Sequence, residues 1–177
     1  MKRLLICTGL LFATALFAQQ PSPAAKATGT IAGKTITIDY CSPRVRGRAG
    51  HIFNKGGLVQ QTHQSYPIWR AGANAATTLH TDADISLGDL NVPAGTYTLF
   101  VDIADPTQWT LVVSKETGEW GLAYNKNMDL GRVKMMMSRP PSMVEDLVYT
   151  ITDRGGNRGM LTLAWENERA SVPIRVH

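Results

Sequence analysis

The fold is decided by the stretch Thr28-Gly29-Thr30-Ile31-Ala32-Gly33-Lys34-Thr35-Ile36-Thr37-Ile38-Asp39-Tyr40. In its second half, Ile36, Ile38 and Tyr40 alternate with two threonines and an aspartate. This period of two is typical of a strand that buries one face and leaves the other in solvent. Gly33 and Lys34 favour a tight turn before it. The stretch therefore predicts an antiparallel β-hairpin.

The rest of the chain repeats this pattern of short strands separated by turns. Further strands are predicted at 76–81, 84–87, 96–103, 109–113, 130–137, 145–151, 160–165 and 170–176. No segment carries a helical stripe and no second boundary is visible, so residues 28–177 are predicted to form one domain. About nine or ten strands predict an all-β antiparallel β-sandwich, with a jelly roll as a variant. Pro173 cannot donate to a ladder, so the last strand is expected at an edge or with a bulge.

The N-terminus indicates export. Two basic residues precede a short apolar run, and small residues allow cleavage after Ala15 or Ala18. These features are typical of a secretory signal peptide, which we assign to residues 1–18, and the run is too short for a comfortable membrane span. Residues 19–27 are rich in proline, alanine and serine and predict a flexible leader. We expect a periplasmic or secreted protein with no transmembrane segment after cleavage.

Charge and cysteine content restrict the possible partners. Removal of the signal peptide takes away Lys2 and Arg3, which lowers the formal net charge from +4 to +2. This weak and dispersed charge argues against nucleic acid as a partner. Cys7 leaves with the signal peptide, so Cys41 has no partner for an intramolecular disulfide. We expect Cys41 to be a small buried residue, with dimerisation through its thiol as the alternative.

Motifs for catalysis or metal binding are weak. His80, Asp82 and Asp84 would share one face of a strand, as a metal site requires, but acids are also common in turns and we favour a solvated turn. The run 125–129 begins like a calcium-binding loop, yet Leu130 stands where that loop needs glycine. The sequence has no nucleophile elbow, phosphate-binding loop or dinucleotide fingerprint. No catalytic residue, metal or cofactor is therefore predicted.

The richest chemistry lies in the run Pro67-Ile68-Trp69-Arg70-Ala71-Gly72-Ala73-Asn74-Ala75-Ala76-Thr77-Thr78. Its glycine and asparagine suit tight turns. Trp69, like Trp120, lies in an irregular segment, whereas Trp109 and Trp165 are expected in the core. An exposed tryptophan beside a fixed guanidinium is suited to binding sugars or small anions.

Two questions about this run stay open at the level of sequence. Arg70 either contacts a ligand or forms a buried ion pair with Asp39 or Asp102 that ties a loop to the sheet. The preceding segment 41–66 has no sustained period and contains a basic cluster at 44–48 and two histidines. A loop of this length in a compact domain is usually functional or partly ordered against the surface, so it is the second candidate region for a site.

Several of these motifs together resemble a known family. In chain order they are Thr37-Ile38-Asp39-Tyr40, Ser42-Pro43 with Gly47-Arg48, Trp69-Arg70-Ala71-Gly72-Ala73-Asn74-Ala75-Ala76-Thr77, Pro93-Ala94-Gly95-Thr96-Tyr97-Thr98-Leu99-Phe100, Trp109-Thr110, Trp120-Gly121, Arg132-Val133 and Leu161-Thr162-Leu163-Ala164-Trp165-Glu166. This order resembles the exported bacterial family catalogued as domain of unknown function 2911, over nearly all of the mature chain. The resemblance implies an exported β-rich domain and confers no catalytic residue. The segment 51–66 is longer than in the family pattern and would reshape the mouth of a site that contains Arg48 and Arg70.

Three functions are consistent with these observations. The leading hypothesis is a non-catalytic exported β-sandwich that binds a small polar or anionic ligand, such as a sugar or an envelope component. The residues proposed for this site are Arg48, Trp69, Arg70, Asn74 and, nearby, Tyr97. The first alternative is a hydrolase or metal-dependent enzyme that uses His80 with its neighbouring aspartates, or the loop histidines. The second is a structural envelope protein in which the Trp-Arg run braces the strands.

Overall fold

The computed structural model describes residues 22–118, 120 and 123–177. The predicted signal peptide, residues 1–18, and the start of the predicted leader lie outside the described residues. Within the described part of the chain, strands form two antiparallel sheets of seven and six strands. The predicted all-β, sandwich-like fold is therefore confirmed. No helix among the described residues is long and apolar enough to cross a membrane.

Thirteen strands and two short helices are found in the described residues. The strands are β1 (Ala24–Ile31), β2 (Lys34–Cys41), β3 (Ile68–Trp69), β4 (Thr77–Thr81), β5 (Ile85–Leu87), β6 (Leu90–Val92), β7 (Gly95–Asp102), β8 (Thr110–Ser114), β9 (Asp129–Lys134), β10 (Met136–Ser138), β11 (Val144–Asp153), β12 (Arg158–Glu166) and β13 (Glu168–Val176). The helices are α1 (Leu58–Thr62) and a 3₁₀ turn at Lys126–Met128. The first sheet has the order β1-β2-β4-β7-β8-β9, with β3 paired to β7. The second has the order β11-β12-β13-β5-β6, with β10 paired to β13.

The first hairpin forms as predicted, with its turn one residue earlier. Ala32 and Gly33 have φ angles of 51° and 74°, the left-handed conformation that a two-residue hairpin turn requires. The alternating face of β2 is buried, and Ile36, Ile38 and Tyr40 are 1%, 0% and 8% exposed. Each of these side chains therefore points into the space between the sheets.

The predicted flexible leader is too long at its C-terminal end. β1 begins at Ala24, whose backbone is paired with Cys41 across the hairpin. Residues 24–27 are therefore strand, because backbone pairing with β2 orders them. Their side chains carry no alternation that the sequence could reveal.

The two sheets approach each other closely where β1 lies against β11. A Cβ atom on Gly29 would lie 2.4 Å from Cγ2 of Ile151, and one on Gly159 would lie 2.2 Å from Cδ1 of Ile31. Real side chains do not tolerate these distances. Glycine therefore allows the strands to meet at this corner of the sandwich.

The strand count differs from the prediction because the missed strands are very short. β3, β6 and β10 have two or three residues each, and a period of two cannot be recognised over that length. The helix α1 was missed for the same reason, because its single turn of five residues shows no helical stripe. These short elements are held by tertiary contacts more than by local preference.

The expectation that Pro173 marks an edge strand or a bulge is wrong, because β13 is an inner strand and its register with β12 continues without a shift through Pro173. β13 lies inside its sheet, between β12 and β5. On the side away from β12, β13 pairs with β10 up to Ser171 and with β5 from Ile174 onwards. Pro173 lies in the gap between these two partners, where the missing N–H does not interrupt either ladder.

Aromatic side chains fill one end of the core. Trp69, Trp109 and Trp165 are 1%, 3% and 2% exposed, and Phe53 from the loop after β2 contacts all three. The ring centroids of Trp69 and Trp165 are 5.9 Å apart with an interplanar angle of 21°, a stacked arrangement. The core positions expected for Trp109 and Trp165 are confirmed. Trp69 is buried with them and is not an exposed binding platform.

Replacement of Trp69 by alanine is expected to destabilise the protein by about 3–5 kcal/mol, because it leaves a large cavity between the two sheets. Trp120 is 62% exposed, so Trp120→Ala is the matched control and is expected to change stability by about 0.5 kcal/mol or less. The measurement is urea-induced unfolding of the wild type and both variants. Equal loss of stability in the two variants would contradict the assigned packing.

Candidate functional site

A cavity of about 420 Å³ opens where the loop after β2 meets the loop between β3 and β4. Four arginines contribute to its lining, and we call it the arginine cavity. Its lining residues are Ser22, Pro43, Arg44, Arg46, Arg48, Leu58, Val59, Thr62, His63, Trp69, Arg70, Gly72, Ala73, Asn74 and Trp165. None of these described lining residues is an aspartate or glutamate. The wall therefore carries positive charge without a carboxylate of its own.

The loop after β2 is fixed along β11 by reciprocal hydrogen bonds. Ser42 Oγ donates to the carbonyl of Leu147 at 2.7 Å, and the Leu147 amide donates to the carbonyl of Pro43 at 2.9 Å. Val45 is fully buried and donates its amide to the carbonyl of Glu145 at 2.9 Å. These contacts hold the basic segment of the loop at one side of the cavity.

Arg44 and Arg48 are oriented in different ways. Arg44 pairs with Asp146 at the surface, with 2.5 Å between Nε and Oδ1, and this contact raises the pKa of Arg44. Arg48 donates from Nε to the carbonyl of Val45 at 2.9 Å and from Nη2 to that of Arg44 at 2.7 Å. The ion pairs among the described residues do not include Arg48. The half-buried charge of Arg48 is therefore oriented by neutral carbonyls.

Arg70 braces the turn that follows it. Its Nη1 donates to the carbonyl of Asn74 and, at 3.1 Å, to the carbonyl of Trp120. The turn passes through left-handed conformations at Ala71 and Asn74, with φ angles of 51° and 54°. Tyr149 Oη fixes it from the second sheet by donating to the Ala71 carbonyl at 2.9 Å. The brace predicted for Arg70 therefore exists, but its partners are backbone carbonyls.

The ion pair of Arg70 with Asp39 or Asp102, one of the two roles considered for Arg70, does not form. Asp39 pairs with Lys26 on the adjacent strand β1 at 2.8 Å, and Asp102 pairs with Arg132 at 3.3 Å across the intervening strand β8. Arg70 is 8% exposed, and its Nε has no hydrogen-bond partner among the described residues. Burial lowers the pKa of Arg70. A buried guanidinium without a carboxylate is unfavourable unless an anion is supplied from elsewhere.

His63 forms the part of the wall that sequence reasoning missed. It is 7% exposed, and its Nδ1 lies 3.0 Å from the carbonyl of Val59, which can only accept. Its Nε2 is buried without a hydrogen-bond partner among the described residues. Burial, together with the positive charge of Arg70, lowers the pKa of His63 to about 4. His63 is therefore neutral at pH 7, with its proton on Nδ1 and a lone pair on Nε2.

The structure places four of the five proposed site residues on this cavity. Arg48, Trp69, Arg70 and Asn74 line it, and Asn74 Nδ2 also donates to the Ser22 carbonyl at 2.9 Å. Tyr97 is not among the lining residues. It is buried in β7 and donates its hydroxyl to the carbonyl of Pro93 at 3.0 Å. Trp69 contributes from the core side and is not an exposed ring face, which corrects the role expected for it.

The alternative metal site does not assemble. His80 Nε2 lies 3.1 Å from Asp82 Oδ1 on the surface, while Asp84 Oδ1 accepts from the amide of Ala94. Within the described ranges, no group of three or more histidine, cysteine, aspartate or glutamate side chains is arranged to hold a metal ion. The spacing of His80, Asp82 and Asp84 therefore belongs to a solvated turn.

The arginine cavity includes residues that a linear motif could not identify. Arg44 and Arg46 belong to the basic cluster at 44–48, which was noted without being placed in the site. His63 gave no signal, because its burial and its proximity to Arg70 depend on how α1 packs. The only signal for His63 in the sequence was the presence of two histidines in a long loop without a repeating pattern.

Residues 22–174 match the model of a family described as "Protein of unknown function (DUF2911)", so the chain belongs to this family, as its motifs predicted. No curated protein and no solved structure matches the chain. The family description names no activity. Any function therefore has to be argued from the geometry of the arginine cavity.

The stability of the protein is expected to fall between about pH 6.5 and pH 4 because of His63. Its pKa of about 4 in the folded protein lies below the ordinary value of 6.5, so the unfolded chain binds this proton first as the pH decreases. Above pH 6.5 neither state is protonated, and below about pH 4 the loss is complete. The full loss corresponds to about 3 kcal/mol.

This pH effect is measured by chemical unfolding of the wild type and His63→Gln across the same range. The variant is expected to lose less stability than the wild type, because its side chain does not titrate. His80→Gln is the matched control, since His80 is exposed, and it should follow the wild type. The groups that face His63 are Arg70, which stays charged, and the Thr62 hydroxyl. Identical pH dependence in the wild type and His63→Gln would contradict the assigned environment.

Proposed function

We propose that the protein is an exported, non-catalytic binding protein that takes up a small anionic molecule in the arginine cavity. The observation that carries this proposal is Arg70, a buried guanidinium in the cavity wall that has no carboxylate partner among the described residues. An anion in the cavity would offset the unfavourable burial of this charge.

Arg48 adds a second cation on the same cavity. Its Nε and Nη2 are bonded to backbone carbonyls, so the guanidinium is oriented without being neutralised. Arg44 contributes less, because Asp146 already pairs with it. Guanidinium groups in a fixed orientation bind carboxylates and phosphates through paired hydrogen bonds. The cavity is therefore suited to an oxyanion.

The size of the cavity restricts the ligand to a small molecule. A volume of about 420 Å³ lies toward the lower end of the range for small-molecule sites. The neighbouring aromatic rings are packed against one another, and Trp69 and Trp165 are almost fully buried. Of the described lining residues, neither Trp69 nor Trp165 offers an open ring face on which a sugar could stack. The cavity therefore favours an anion over the sugar that the sequence also suggested.

Binding is favoured over catalysis by the kind of side chains in the wall. Arginine stays protonated near neutral pH and transfers no proton, so it holds an anion without acting as an acid or base. Export to the periplasm or medium is part of the proposal and is supported by the signal-like N-terminus at residues 1–18. Together these features support a role in binding a small anion outside the cytoplasm.

One observation supports the purely structural alternative. Arg70 bonds two backbone carbonyls from different loops, which is what a brace does. Bracing accounts for these two hydrogen bonds. It does not account for the adjacent cavity or for a buried charge without a carboxylate partner among the described residues. The two functions are therefore separated by measuring ligand binding and stability in the same variants.

Anions such as succinate, sulfate and phosphate are expected to bind the purified protein and raise its melting temperature. Arg70→Gln and Arg48→Gln are each expected to weaken binding roughly 10- to 100-fold, because each removes a charged hydrogen-bond donor worth about 1.5–3 kcal/mol. Affinities are measured by isothermal titration calorimetry, and stability by thermal unfolding. Arg175→Gln is the matched control, since it removes the same charge from an exposed position on β13.

Three results would count against ligand binding. The first is the absence of binding by every anion in the panel. The second is an equal loss of affinity in Arg175→Gln, which would show an effect of net charge alone. The third is Arg70→Lys with reduced thermal stability and unchanged affinity, which would assign Arg70 to the brace. Arg48→Gln keeps the test decisive if Arg70→Gln does not fold.

A further inference from the structure

Two buried nitrogen atoms belong to side chains that line the arginine cavity, and they restrict the ligand further. They are Nε of Arg70 and Nε2 of His63, and neither has a hydrogen-bond partner among the described residues. Both side chains line the cavity and are more than nine-tenths buried. Buried polar atoms in folded proteins are normally paired, so two unpaired atoms on one cavity indicate a missing partner there.

The two atoms require opposite partners. Arg70 Nε always carries a hydrogen and can only donate. His63 Nδ1 lies 3.0 Å from the Val59 carbonyl and 3.0 Å from Thr62 Oγ1, which donates its own hydrogen to the Leu58 carbonyl. We therefore assign the proton of His63 to Nδ1, which leaves Nε2 with a lone pair that can only accept. A ligand that satisfies both must therefore accept one hydrogen bond and donate another.

A simple carboxylate or sulfate satisfies only half of this requirement. Ionised oxygens accept hydrogen bonds and cannot donate, so such an oxygen against His63 Nε2 would set two lone pairs against each other. An ammonium group could donate, but it would introduce another positive charge beside Arg70. A hydroxyl group is neutral, donates through its hydrogen and accepts through its oxygen. It is the group that suits both nitrogens.

We infer that the ligand of the arginine cavity is a small anion that carries a hydroxyl group, such as a hydroxycarboxylate or hydrogen phosphate. This inference rests on the proposed function and names its ligand class. The anionic oxygens would contact the guanidinium groups of Arg48 and Arg70, and the O–H would donate to His63 Nε2. His63 would then determine specificity, while the arginines supply most of the attraction.

The test compares anions that differ by this O–H. Malate is paired with succinate, and phosphate with sulfate, at about pH 8, where all four carry mainly two negative charges. The hydroxylated member of a pair is expected to bind about 10-fold more tightly to the wild type, because it satisfies a polar atom that its partner leaves unpaired. In His63→Phe, which keeps an aromatic ring without the acceptor, the preference is expected to disappear.

A second measurement does not depend on whether the variant folds. Binding of the hydroxylated anion to the wild type is expected to shift the ¹⁵N resonance of His63 Nε2, since the lone pair becomes hydrogen-bonded. The matched anion without the O–H should leave this resonance in place. A preference in the malate pair alone identifies a hydroxycarboxylate, and one in the phosphate pair alone identifies a phosphate.

The outcomes separate this inference from the proposed function. Equal affinity within both pairs, or a preference that survives in His63→Phe, overturns the role of the hydroxyl and leaves anion binding intact. Failure of all four anions to bind overturns both. A preference that requires His63, with a matching shift at Nε2, supports the inference.

Discussion

The contact between Trp69 and Trp165 joins the two sheets at the end of the sandwich that holds the cavity. Trp69 lies on β3 of the first sheet and Trp165 on β12 of the second, and their rings stack with centroids 5.9 Å apart. Phe53 reaches both from the long loop after β2. Large buried rings supply much of the apolar area that stabilises a core of this size. Because Phe53 belongs to that loop, the contacts that close the sandwich also position the segment that carries the arginines.

Arg70 follows Trp69 directly, so the core packing of the tryptophan sets where the guanidinium lies. Arg70 bonds two neutral carbonyls, while Asp39 and Asp102 of the first sheet pair with Lys26 and Arg132. A neutral amide could bond the same carbonyls without the desolvation of a full charge. The guanidinium at this position is therefore the observation on which the proposed binding of an anion rests.

Local patterns selected four residues that the structure brings together at the arginine cavity. Arg48, Trp69, Arg70 and Asn74 were selected because polar, turn-forming residues interrupt a chain that otherwise forms strands, and all four line one cavity. Tyr97 was expected near them, but it is not among the residues that line the cavity. The exposure of Trp69 was misjudged because a two-residue strand has no period to show which side is buried. His63 was missed because its chemistry depends on burial and on a charge seven residues away.

The order of apolar and polar residues was enough to determine an antiparallel β-sandwich, because a strand with one buried face must alternate at a period of two. Motifs distributed over the whole domain were enough to identify the family. Only the tertiary structure decided that Asp39 pairs with Lys26 and Asp102 with Arg132. These pairings leave Arg70 without a carboxylate partner in the part of the chain that the structure describes. The tertiary structure also decided the tautomer of His63, through the carbonyl of Val59. Such properties arise from groups that are far apart in sequence and meet only when the loop packs against both sheets.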